Sequence, residues 1–90
     1  MKNFHLLIQG DVVDIGYRSW MMREAERLHI VGWVKNRQDR AVEAVVQGEE
    51  ENVKKIVELC KKGPDVAWVE KVTITEQPVD KFFFTFEMVY

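Results

Sequence analysis

Ninety residues, 47% of them apolar or aromatic, suffice for one well-packed hydrophobic core and are too few for two. A formal net charge of −2, with both signs interleaved, excludes the generalised basic surface that grips nucleic acid through many phosphate contacts, so any anion must be captured locally. The single cysteine, Cys60, excludes an internal disulfide and any CxxC metal or redox motif, which suits a reducing cytoplasm. The Met1-Lys2 start has no charged patch followed by an apolar run and a cleavage site, and no apolar stretch approaches the roughly 20 residues of a membrane span. Residues 1–90 are therefore expected to form one soluble, unexported domain without linkers or repeats.

From Asn3 to Gln9 the residues alternate as a strand, with Phe4, Leu6 and Ile8 on the core face. Gly10 to Gly16 break that pattern, and Tyr17, Met21, Ala25 and Leu28 then recur at helical intervals. Val31 to Arg37 and Ala41 to Gln47 read as a β-hairpin whose turn, Gln38-Asp39-Arg40, lacks the usual Asn-Gly or Asp-Gly signal. Glu49, Glu50 and Glu51 suit a helix start, Val53, Ile56, Val57 and Cys60 form its apolar face, and Gly63-Pro64 ends it. Ala67 to Thr75 reads as another strand. Phe82, Phe84, Phe86 and Met88 alternate with Phe83, Thr85, Glu87 and Val89 as the last. The order β-α-β-β-α-β predicts an α+β, ferredoxin-like sandwich, an antiparallel sheet with two helices on one face.

The segment Gly10 to Arg18 joins a strand to a helix start, where unpaired N–H groups and the positive end of the helix dipole cradle an anion. Arg18 adds a permanent positive charge on a planar fork that matches phosphate oxygens, although an arginine in such a place is by itself most often merely exposed. Asn36, near the end of the second strand, has an amide suited to orienting a water, although an asparagine near a turn is usually only a turn residue. Trp20, Trp33 and Trp68 read as core or partly buried packing, since no basic stripe accompanies them as a base-stacking platform would require. His5 has no evident carboxylate or cysteine partner, and His29 sits where a helix end favours a cation or a positive φ, so neither reads as catalytic. Cys60 reads as a small buried hydrophobe, and the scattered carboxylates show no metal-ligand spacing.

These motifs together resemble the acylphosphatase family. Gly10 to Arg18 is similar to its phosphate loop, which ends in an aromatic residue and arginine, here Tyr17-Arg18. Gly32-Trp33-Val34-Lys35-Asn36 resembles its Gly-Trp-Val-x-Asn segment, and further likeness runs through Val42-Glu43, Gln47-Gly48, Gly63-Pro64, Ala67, Val69 and Val72, so it covers nearly the whole chain. The resemblance implies hydrolysis of a small-molecule acyl phosphate to a carboxylate and inorganic phosphate, without metal or cofactor, by a monomer that binds neither nucleic acid nor membrane. It also implies roles. Arg18 would hold the phosphoryl oxygens, the backbone of Val13, Asp14, Ile15, Gly16 and Tyr17 would complete the cradle, and Asn36 would orient the attacking water.

The chain departs from the family pattern at three places. Val13-Asp14 replaces Gln-Gly in the loop, while His29 and Arg40 stand where glycines are common at a helix end and a hairpin turn. A carboxylate facing the cradle at about 4 Å would repel each like unit charge by roughly 4 kcal/mol at an effective dielectric near 20. Asp14 could instead turn to solvent, cap the helix amides, or pair with Arg18. The alternative expectation is accordingly a catalytically impaired acylphosphatase-like binding or structural domain, disabled by Asp14. An RNA-binding sheet would need exposed aromatics and basic residues on Ala41 to Gln47, which has neither.

Overall fold

The computed structural model describes all residues from Met1 to Tyr90. In chain order the elements are β1 (Lys2–Asp11), α1 (Tyr17–Arg27), β2 (Val31–Asn36), β3 (Val42–Gly48), α2 (Glu50–Lys62), β4 (Trp68–Gln77) and β5 (Phe86–Val89). The sheet order is β4-β1-β3-β2-β5. Two helices on this five-stranded sheet give the expected α+β ferredoxin-like architecture. One feature of it differs, because β5 runs parallel to β2 and the sheet is therefore mixed.

Strand register explains the core. Leu6 and Ile8 of β1 lie opposite Ala44 and Val42 of β3, and Val34 of β2 lies opposite Ala44. These residues share one face, are fully buried, and meet Met21 and Ala25 of α1 and Val53, Ile56 and Cys60 of α2. Each large aliphatic side chain so buried contributes about 1.5–3 kcal/mol of transfer free energy. α1 lies against β2 and β5, and α2 against β1, β3 and β4. By parity, Asn36 shares the helix-facing side of β2 with Gly32 and Val34, one step beyond the covered core.

The last strand is shorter than its alternating phenylalanines predict. Phe82 and Phe84 are exposed and outside any strand, and pairing begins only at Phe86, which is buried. Residues 78–85 must carry the chain from one sheet edge, β4, to the other, β5, so their backbone cannot join a ladder on the way. The two buried polar side chains hold this crossover instead. Gln47 donates from Nε2 to the Lys81 carbonyl at 2.7 Å and accepts the Phe83 N–H at 3.1 Å, while Asn3 donates to the Pro78 carbonyl at 3.4 Å.

Two further expectations need correction. His5 does have a carboxylate partner, Glu43, at 2.7 Å, because antiparallel pairing with β3 brings the two together diagonally. Trp68 is not packed: it stands 69% exposed on the edge strand β4, whereas Trp20 is partly buried against the core and Trp33 is half-buried beneath the Lys35 ammonium.

Candidate active site

At the end of the sheet opposite the crossover, β1 passes through a bulge between Gln9 and Gly10 before entering the loop. Only glycine fits there: Gly10 has φ 138°, and a Cβ would lie 2.2 Å from the Trp68 carbonyl oxygen. Val12 and Val13 then bury their side chains in the core and pin the loop from beneath. Asp14 and Gly16 both take left-handed backbone, φ 67° and 84°, and turn the chain into α1. The first backbone bond of the helix runs from the Trp20 N–H to the Gly16 carbonyl, and no N–H from Val13 to Ser19 finds an acceptor in the chain. Unpaired N–H groups at the positive end of a helix suit an anion.

Tyr17 anchors the first turn from inside. Its ring is buried, meets Trp20 edge-on at 5.2 Å, and its hydroxyl donates to the Cys60 carbonyl at 2.7 Å. Burial above all pushes the phenol pKa up, and burial pushes the neighbouring Cys60 thiol up to about 12. Both groups stay protonated at neutral pH and play a packing role. Arg18, one residue on, points the other way and forms no ion pair; its Cζ lies 5.1 Å from the Tyr90 ring centroid.

A cleft of about 50 Å³ gathers Val12, Asp14, Gly16, Tyr17, Arg18, Ser19 and Asn36. At roughly 10–15 Å³ per water-sized occupant it has room for a group of phosphoryl size and little more. Five of the expected site residues therefore meet here: Asp14, Gly16, Tyr17, Arg18 and Asn36. Val13 and Ile15 turn their side chains to the core, leaving only their backbone for the loop. Sequence reasoning missed Ser19, whose only signal is its place beside Arg18 on the first helical turn. It also missed Tyr90, since nothing local links the residue after the last strand to this loop.

The sequence model of the acylphosphatase family matches residues 4–88. The chain belongs to the acylphosphatase family. An acylphosphatase of Thiobacillus denitrificans is 51% identical over 76 residues, 84% of this chain and 85% of that one. One from Bacillus velezensis is 38% identical over the full length of both chains. The crystal structure of acylphosphatase from Bacillus subtilis superposes with a TM-score of 0.96 at 31% identity, covering both chains completely. The protein is thus an acylphosphatase, a hydrolase of acid anhydrides that cleaves acyl phosphates to a carboxylate and inorganic phosphate.

For this acylphosphatase the departures from the family pattern form a set. Asp14, His29 and Arg40 are its only non-glycine residues with positive φ, at 67°, 57° and 64°. Each accepts the backbone that a glycine would favour. The Asp14 carboxylate neither caps α1 nor pairs with Arg18. Its side chain is 77% exposed, with Oδ2 3.7 Å from Nη2 of Arg40. Two departures, 26 positions apart in sequence, one in the loop and one in the hairpin turn, thereby offset each other's charge, and the impaired alternative gains no support.

Proposed function

We propose that Arg18 and the loop amides bind the transferring phosphoryl group and that Asn36 aligns the water that attacks it. The supporting observation is that Arg18 with its permanent cation and Asn36 with its neutral amide, drawn from separate segments, line one cleft of phosphoryl size together with Asp14, Gly16, Tyr17 and Ser19, whose backbone N–H groups are unpaired. The backbone N–H groups of Val13, Asp14, Ile15, Gly16 and Tyr17 complete the cradle. Water oxygen forms a bond to phosphorus in line with the breaking P–O bond, and the acyl carboxylate leaves with that bond's electron pair. A carboxylate is a good leaving group, so positioning and charge stabilisation suffice, and the proposed reaction is metal-independent.

All proposed groups come from one chain, so one chain carries a complete site, which is compatible with residues 1–90 acting as one domain and one monomer. The lone thiol of Cys60 suits work in the cytoplasm. Steady-state hydrolysis of benzoyl phosphate without added metal tests the assignment. Arg18→Ala is expected to lose at least about 100-fold in kcat/KM, and Asn36→Ala to lose chiefly kcat, both with unchanged circular dichroism. An Arg18→Ala protein with full activity would sink the site.

A further inference from the structure

Asn36 is the last residue of β2, and its backbone is held from one side only. Toward β3 it lies opposite Val42, and the Arg37 N–H that follows donates to the Ala41 carbonyl at 2.8 Å. Toward β5 the pairing stops one residue earlier, where Lys35 lies opposite Val89. Strand ends beside a turn are where a ladder opens most readily. An amide that aligns a water from such a place needs its neighbours held by something besides the ladder.

That hold lies on the other face of the sheet. Side chains alternate along a strand, so Lys35 and Arg37 project away from the helices while Asn36 faces them. Both meet a single carboxylate, Glu43 of β3, whose Oε1 is 3.8 Å from Lys35 Nζ and 3.9 Å from Arg37 Nη1. Its other oxygen, Oε2, accepts from Nε2 of His5 on β1 at 2.7 Å. Glu43 therefore brackets the residues before and after Asn36 and is itself tied to the central strand β1. Arg37 is held a second time by Asp39 at 3.2 Å, and Asp39 also accepts the Ala41 N–H at 3.3 Å. The Glu43 side chain is only 17% exposed, so its pairs are screened less than those of a surface carboxylate. None of His5, Lys35, Arg37 and Glu43 lines the cleft that gathers Arg18 and Asn36.

We propose that Glu43 is a positioning residue for the hydrolysis and acts through Asn36. By holding Lys35 and Arg37 from the far face of the sheet, it fixes the direction of the Asn36 amide and with it the line of attack of the water. This rests on the role proposed above for Asn36. Arg18 and the loop amides belong to the segment between β1 and α1, outside the bracket, so phosphate binding does not depend on Glu43. Its loss is accordingly felt in turnover and not in affinity.

The test is a double-mutant cycle of Glu43→Gln and Asn36→Ala on benzoyl phosphate, with inhibition by inorganic phosphate measured alongside. Glu43→Gln is expected to lower kcat about 3- to 30-fold, short of the roughly 100-fold that a full 1 Å misplacement costs. KM and the phosphate inhibition constant should stay within about 2-fold, and in the Asn36→Ala background the same substitution should change kcat by less than about 2-fold. The paired Lys35→Gln and Arg37→Gln variant empties the bracket from its other side and should show the same loss of kcat, even where Glu43→Gln proves too unstable to assay. The 15N order parameter of the Asn36 side-chain amide should fall in each bracket variant, a reading independent of turnover. An unchanged kcat would overturn the inference. So would a loss repeated in full without the Asn36 amide, or a matching rise in the phosphate inhibition constant, since either places the effect of Glu43 elsewhere. Asn36→Ala with full kcat would instead overturn the role of Asn36 itself, and this inference with it.

Discussion

The Asp14 carboxylate and the Arg40 guanidinium stand 3.7 Å apart, joining the loop before α1 to the turn between β2 and β3. Both side chains are mostly exposed, at 77% and 67%, so the pair contributes about 0–1 kcal/mol and its field at the cleft is screened. Asp14→Gly should therefore tighten competitive inhibition by inorganic phosphate by no more than about 5-fold. Arg40→Gln should weaken it by a similar factor. Both effects should shrink in 0.5 M salt, where the screening length falls to about 4 Å. A gain above about 100-fold for Asp14→Gly would mean that the carboxylate faces the cradle.

The two glycines of the loop should differ sharply in what they tolerate. Gly16→Ala meets nothing within 4 Å and carries only the left-handed backbone penalty, about 1–2 kcal/mol. Gly10→Ala adds a clash with rigid backbone, 2.2 Å from the Trp68 carbonyl oxygen, and must break the β1–β4 bulge. Urea unfolding should show the Gly10 variant far less stable than the Gly16 variant. Equal losses would contradict the bulge geometry.

Gln47 holds the crossover through two hydrogen bonds. Gln47→Leu leaves the Lys81 carbonyl and the Phe83 N–H unpartnered and is expected to cost about 2–3 kcal/mol, lowering Tm by roughly 4–8 °C per kcal/mol. Hydrogen exchange at the Phe83 amide should accelerate in parallel. A Phe83 amide no more labile than before would show that the crossover is held elsewhere.

Stability should fall in alkali. Burial raises the folded-state pKa of Cys60 from 9.0 to about 12, and that of Tyr17 also rises above its usual 10.0. Above about pH 9 the unfolded chain releases protons that the folded chain retains. Stability is therefore complete below pH 9 and declines as pH rises, by up to about 1.4 kcal/mol per pH unit for each group. Chemical denaturation between pH 8 and 11 should show this slope, and Tyr17→Phe should flatten its upper part.

Most of the frame was legible because periodicity reports burial directly. Leu6 and Ile8, the Tyr17-Met21-Ala25 stripe and the Val53-Ile56-Val57-Cys60 face all lie in the core as their spacing implies. The loop ending in Tyr17-Arg18 and the strand ending at Asn36 were visible as segments. Their convergence depends on strand parity and on the start of α1, and came into view only through the family resemblance. Phe82 and Phe84 misled because alternation records side-chain type, whereas pairing depends on where the backbone must travel. The partners of His5, Asp14 and Tyr90 lie on another strand, a turn and a helix, and no local pattern encodes such distant neighbours.

The parallel pairing of β5 with β2 has a consequence for how chain length can vary. Residues added between Pro78 and Thr85 enlarge a connection that lies outside the ladder, and the strand behind it can keep its register. A single residue inserted between Phe86 and Tyr90 would turn Tyr90 to the opposite side of the sheet, away from Arg18 and Asn36. The five positions from Phe86 to Tyr90 therefore act as a ruler that decides which side of the sheet Tyr90 takes, while the eight before them lie outside the ladder and are held by Asn3 and Gln47 at Pro78, Lys81 and Phe83.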